Sequence, residues 1–182
     1  MKILAIFAAL LLFIEPPTAA AASDIQLNEA HISFKLPDTW DAKRQVQGNL
    51  KPSMESSDPL MVSWKRSPIV DKDGSMVLAG LNVVAFKVPA DSNVVLISAR
   101  LMAQRGWPRK KFLTVEHDGI TLPNSLAYES EFLSGPDRKM KVFIVHAVNG
   151  GVFVELMFSA TDEIFEKIEP ELREALRSLK VS

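Results

Sequence analysis

The chain of 182 residues contains no cysteine, a single tyrosine and no surplus of charge, with 21 basic side chains against 22 acidic ones. Each shortage excludes something. Without cysteine there is no disulfide, no thiolate metal site and no cysteine nucleophile. Nor can a lipid-bearing cysteine follow a cleaved leader. A net charge of −1 supplies no global field for nucleic acid, so no nucleic-acid partner is expected. The composition also rules out collagen, a coiled coil, a multi-span membrane protein and a disulfide scaffold. No repeat or low-complexity tract interrupts the chain, and prolines and glycines stand singly between periodic segments.

One stretch stands apart. Lys2 precedes an unbroken apolar run, Ile3 to Ile14, followed by Glu15, Pro16, Pro17, Thr18 and four alanines. A charged start, a short apolar stretch and small residues define a secretory signal peptide. Twelve residues rise about 18 Å as a helix, short of the roughly 30 Å hydrocarbon core. Ala20 and Ala22 satisfy the A-x-A rule, so residues 1–22 read as the signal and 23–182 as one domain. Subtracting Lys2 and Glu15 leaves 20 basic and 21 acidic residues, so neutrality survives cleavage. These features predict a periplasmic or secreted protein with no transmembrane span after cleavage. A core that needs no disulfide is indifferent to the redox state of either compartment.

Periodicity then predicts the elements. Ile32, Phe34 and Leu36 alternate with polar residues, giving a half-buried strand that ends at Pro37. Residues 41–58 are polar and read as loop, and Leu60, Val62 and Trp64 alternate in a second strand. Asp71 to Gly74 is a turn. Met76 to Val88 is apolar on both faces, a central strand with a bend at Gly80. Asp91 is the expected N-cap of a helix from Ser92 to Arg105, with Val94, Ile97, Leu101 and Met102 buried and Gly106 ending it. Four strands follow: Phe112–Glu116, Leu126–Leu133, Lys139–Val148 and Val152–Ala160. Their connections are His117-Asp118-Gly119, Gly135-Pro136-Asp137 and the hairpin Asn149-Gly150-Gly151. A helix from Thr161 to Leu179 closes the chain, with Ile164, Ile168, Leu172, Ala175, Leu176 and Leu179 on one face. Pro170 is expected to kink or divide it. The expected class is α+β: an α/β/α sandwich with a central antiparallel sheet, one internal helix and a C-terminal helix.

The strand ending Phe34-x-x-Pro37-x-x-Trp40 and the terminal helix ending in Leu176-Arg-Ser-Leu-Lys-Val-Ser182 resemble a known superfamily. It joins the PsbP proteins of photosystem II, the Ran-binding Mog proteins and the bacterial DcrB-type exported proteins. The resemblance covers most of the mature chain in element order. It implies an α/β/α sandwich and a non-enzymatic binding or assembly role. Metal sites described for some plant members do not carry over, because no ligand residue matches.

Candidate chemistry is sparse. His31, His117 and His146 lack metal-ligand spacing, and no serine sits in G-x-S-x-G or S-x-x-K. No catalytic residue, metal or cofactor is assigned. His146 shares a strand face with Met140, Val142, Ile144 and Val148, so it is expected in the interior. Glu129, Glu131 and Glu155 come from strands expected to be close; Glu129 and Glu131 share a face two residues apart, which raises a paired-carboxylate idea against an ordinary solvent face. The remaining feature is the loop Arg105-Gly-Trp107-Pro-Arg109-Lys110-Lys111, to which Lys65 and Arg66 are candidate additions. A tryptophan among basic residues suits an anionic partner, either a protein or an anionic envelope surface. Arg105, Trp107, Arg109, Lys110 and Lys111 are therefore the candidate binding residues of an exported binding or envelope-assembly module of unknown partner. Two alternatives stand beside it: a carrier holding a small apolar ligand, and a small exported hydrolase whose Ser/His/carboxylate triad assembles in space.

Overall fold

Strand alternation builds most of the molecule, and the two longest helices lie on opposite sides of what it builds. A computed structural model describes residues 22–41, 45–48, 59–70, 74–77, 79–134, 136 and 138–181. The expected signal peptide up to residue 21, most of the expected loop at 41–58 and most of the turn at 71–74 lie outside the described residues. The strands are β1 (Ala22–Leu27), β2 (Ile32–Pro37), β3 (Gln45–Gln47), β4 (Leu60–Lys65), β5 (Ile69–Val70), β6 (Met76–Val77), β7 (Gly80–Lys87), β8 (Arg109–Leu113), β9 (Ser125–Leu133), β10 (Lys139–Asn149), β11 (Val152–Thr161) and β12 (Lys180–Val181). The helices are α1 (Val94–Arg105), the short α2 (Val115–Asp118) and α3 (Asp162–Arg177).

Seven strands form one antiparallel sheet in the order β3-β4-β7-β11-β10-β9-β8. Short turns keep β9, β10 and β11 as neighbours. The β10–β11 hairpin closes through Gly150 and Gly151, both at positive φ (54° and 74°), as a two-residue turn of matching twist requires. A β-carbon on Gly151 would also press to 3.2 Å from the Val88 carbonyl. From β7 the chain must cross β11, β10 and β9 to reach the far edge, and α1 is that crossing. A smaller sheet, β1-β2-β12, sits with α3 on the opposite side. The expected α+β sandwich is the observed one.

Alternation divides the core cleanly. Phe143, Val145 and Ala147 of β10 face α3 and join Ile164, Phe165, Ile168, Leu172, Ala175 and Leu176. Val142, Ile144, His146 and Val148 point the other way, toward α1. Each large apolar side chain of α3 contributes about 1.5–3 kcal/mol by leaving water. Every apolar residue expected on that helix face is buried, including Leu179 just beyond it.

Several boundaries differ from the sequence expectation. β3 lies inside the segment read as loop; its three residues pair with β4 but stay exposed, so burial leaves no pattern to read. The strand expected over 76–88 is two strands. Its first part pairs with β5, and β7 begins at Gly80. Asn93, not Asp91, caps α1: its Oδ1 accepts from the Val95 and Leu96 amides at 2.8 and 3.3 Å. Within α1, Ser98 is buried and Leu101 only partly so. The strand after Trp107 starts at Arg109 and ends at Leu113. Thr114 then caps α2, accepting from the His117 amide, while Asp118 accepts from the Thr114 amide. Pro170 neither splits nor ends α3. It lies on the exposed side of the helix, away from the packed face.

Candidate functional site

The α1 side of the sheet carries a buried polar chain. His146 is fully buried and Glu155 is 2 % exposed, facing each other across β10 and β11 in direct register. An ionised carboxylate only accepts, so His146 Nε2 carries the hydrogen and donates to Glu155 Oε2 at 2.7 Å. On its other side, Nδ1 shares a hydrogen bond with the Tyr128 hydroxyl at 3.3 Å. From α1, Arg105 closes the chain with a two-pronged grip on Glu155, at 2.6 and 2.7 Å. Burial works against the Glu155 charge. The His146 and Arg105 hydrogen bonds outweigh it, and the carboxyl lies below its ordinary value. Burial also works against Arg105, and Glu155 more than offsets it, raising the guanidinium further. Burial pushes the Tyr128 hydroxyl up.

This chain is closed. Both His146 ring nitrogens are engaged, by Glu155 and Tyr128, leaving neither for a serine hydroxyl. The triad considered from sequence does not assemble there. His117 and His31 are both exposed. Among the described residues no group of three or more His, Cys, Asp or Glu side chains forms a metal-binding cluster.

Glu129 and Glu131, the two carboxylates expected on one strand face, do share it, and the sheet separates them from Glu155. Glu155 faces α1, whereas Glu129 and Glu131 face α3. Glu131 lies 2.7 Å from Lys110 and 2.9 Å from Lys139, which draw its carboxyl below the ordinary value. Glu129 meets Lys111 at 3.9 Å and Arg173 at 3.5 Å. These are exposed or half-exposed ion pairs on the polar rim of the α3 face.

The five candidate binding residues are divided along the same line. Trp107 is half-buried, stacked flat on Phe132 with centroids 4.3 Å apart and planes at 7°, and the Arg105 guanidinium lies 5.1 Å from its ring centre. Arg109 is exposed. It lies 5.4 Å from the centre of the Tyr128 ring and donates to Ser98 Oγ at 3.3 Å. Lys110 and Lys111 turn toward Glu131 and Glu129. A register shift between Arg109 and Lys111 produces this division. Arg66 joins none of them; it pairs with Glu171 of α3 at 2.7 Å. Sequence reading did not find Tyr128, Phe132 or Ser98 as the platform beneath the loop. The apolar alternation of β9 was visible, but not which strand would lie under α1.

Two clefts lie away from this platform. One, of about 600 Å³, is lined by Asp24, Ser33, Lys35, Glu174, Arg177 and Lys180 among others, where α3 ends beside the small sheet. The other, about 210 Å³, lies where Phe165 of α3 meets Lys110, Glu131 and Lys141.

An antiparallel sheet layered between helices, with a second small sheet beside the terminal helix, defines the PsbP/Mog-like fold. No protein-family model matches the chain, and no characterised protein matches it by sequence. Solved structures do. A mutant of the protein Mog1 is similar with a TM-score of 0.50 and 11% identity, over 88% of this chain and 96% of that one. Cyanobacterial PsbP (CyanoP) from Synechocystis is similar at 0.49 and 12%, over 90% and 94%. A protein of unknown function, PA94, from Pseudomonas aeruginosa is similar at 0.48 and 13%, over 86% and 94%. At such identities the likeness is one of fold. Among the described residues no helix is long and apolar enough to cross a membrane.

Proposed function

We propose that the protein is an exported, non-catalytic binding module that meets an anionic partner of the cell envelope with its β8 edge. The observation that supports this reading is the setting of Arg109. Of the four cations at 105–111, Arg105, Lys110 and Lys111 each have a carboxylate partner. Among the described residues Arg109 has no carboxylate partner; it contacts a hydroxyl and an aromatic face instead, which hold its charge in place. Phe112, 53 % exposed on the same strand, offers apolar surface beside it. An arginine fixed on an aromatic platform next to an exposed aromatic is a common centre of a protein-binding patch. β8 is also the outermost strand of its sheet, paired only with β9 among the described residues. The apolar run at 3–14 supports export, and the PsbP/Mog-like fold is compatible with an assembly role.

Capture from envelope extracts tests this. The wild-type chain is compared with a variant carrying Arg109→Glu, Lys110→Glu and Lys111→Glu. Recovery of the bound material should fall at least tenfold in the variant, and an unchanged set of partners rejects the assignment.

A further inference from the structure

The two long helices carry opposite charge on opposite sides of the sheet. α3 has six acidic residues (Asp162, Glu163, Glu166, Glu169, Glu171, Glu174) and three basic ones (Lys167, Arg173, Arg177), a balance of −3. α1 has Arg100 and Arg105 and no acidic residue, a balance of +2. Most of these charges are met locally: Glu155 pairs with Arg105, and Arg66, Lys110, Lys139 and Lys141 pair with carboxylates on the α3 side, so among the described residues the cations that the α1 side presents without a carboxylate partner are Arg100 and Arg109. Such a molecule turns its α1 side toward a negatively charged surface while its net charge contributes little.

The outer surface of α1 is also unusual for a helix that lies on a sheet. Its exposed positions are Val95, Leu96, Ala99, Arg100, Ala103 and Gln104, with Leu96 70 % and Val95 51 % exposed. On α3 the corresponding exposed positions hold charged residues and Pro170. Ser98, one turn from Val95, joins Arg109 and Tyr128, and Phe112 meets the Tyr128 ring edge-on at 6.2 Å between centroids. Val95, Arg109 and Phe112 are thus exposed on the same side of the sheet, over the buried Ser98 and Tyr128. Trp107 stands at the other end of α1, half-buried, and aromatic residues of that kind favour the headgroup level of a bilayer.

From this arrangement we infer that the α1 face is a peripheral membrane-binding surface for anionic lipid. Leu96, Val95 and Phe112 would enter the headgroup boundary, with Arg100 and Arg109 on lipid phosphates. Charge complementarity selects an anionic occupant. The shape of the face selects a lipid one: protruding apolar residues on a helix, Leu96 and Val95 above all, suit a fluid interface that moulds to them. Asp91, in the turn before α1, and Glu155, paired with Arg105, are acidic neighbours, and Arg100, Arg105 and Arg109 outnumber them. The inference rests on the proposed anionic-partner reading and names that partner.

The test uses the full chain with two kinds of vesicle, equal parts phosphatidylglycerol and phosphatidylcholine, and phosphatidylcholine alone. The apolar run at 3–14 contributes to both, so the difference between them reads the charged face. Partition measured by sedimentation at low salt should favour the anionic vesicles and weaken as salt rises. Trp40 and Trp64 are buried, so a blue shift of tryptophan emission on binding reports Trp107. Arg100→Gln with Arg109→Gln should weaken anionic partition by roughly 30-fold. Leu96→Gln should weaken it several-fold, whereas Lys167→Gln on α3 should leave it unchanged. All these side chains are exposed, so the variants keep the fold. Equal partition on both vesicles, or partition indifferent to Arg100 and Arg109, overturns the lipid assignment. If envelope capture still depends on residues 109–111 in that event, the partner is an acidic protein; if it does not, the anionic-partner reading falls as well.

Discussion

The two faces of the seven-stranded sheet are sealed by different physics. Over the α3 face, apolar side chains from α3, β2 and the sheet interlock, and the charges are held at the rim. Over the α1 face, two smaller apolar clusters flank a buried Arg105–Glu155–His146–Tyr128 chain. The first arrangement tolerates a lost methyl group by partial collapse. The second depends on every member having its partner, because a buried charge left alone is far more costly than an empty methyl-sized space. Stability on the α1 side is therefore concentrated in a few atoms, and on the α3 side it is spread.

That contrast can be broken first at Glu155. Glu155→Ala strands Arg105 and His146 and should destabilise the fold by about 3–5 kcal/mol in denaturant unfolding. A cost below about 1 kcal/mol would mean that water reaches the chain. Replacing the ionic set with apolar residues, Arg105→Met, His146→Leu and Glu155→Met together, should recover most of that loss.

Acid should act next, through the same group. The carboxyls of Glu155, Asp118 and Glu171 lie below their ordinary values in the folded protein, held there against burial by their hydrogen-bonded partners. Their contribution is complete above the unfolded values of 4.5 for Glu and 3.8 for Asp and is lost as pH falls through the lower folded values. Thermal stability should thus be flat from about pH 5 to about 9 and decline below about 4.5. Glu155→Gln should flatten part of that decline, and an unaltered acid profile in this variant would contradict the role given to Glu155.

Smaller effects sharpen the comparison. Ile168→Val, on the apolar α3 side, should cost about 1 kcal/mol. Asn93→Ala removes the α1 cap and should cost about 1 kcal/mol, with faster amide exchange confined to the first turn of α1. Leu96→Gln should change stability by less than about 0.5 kcal/mol, since the side chain already meets solvent. A larger loss there would show that Leu96 packs against the protein and is not free for a partner.

Sequence periodicity located the α3 face well because burial was written into it. Ile164, Ile168, Leu172 and Leu176 recur at helical spacing, and β2, β4, β9, β10 and β11 alternate or run apolar. Elements that bury little were invisible: β3 is exposed throughout, and β12 is two residues long. β1 leaves only Leu27 fully buried. Within the candidate site, the interior position of His146 followed from alternation, and the basic-aromatic loop from composition. Its division between two faces did not, because a register shift at Lys110 reverses which way the neighbouring side chains point. Partner choice was equally hidden: Glu155 lies opposite His146, a pairing set by hairpin register.

The strand order of the small sheet has a consequence for how the chain is made. β2 is flanked by β1 on one edge and β12 on the other, so the start and the end of the described chain are tied to the same strand. Synthesis delivers a polypeptide from its N-terminus. β2 must then wait with one edge bare until residues 180–181 arrive, and a chain cut a few residues short can never seal it.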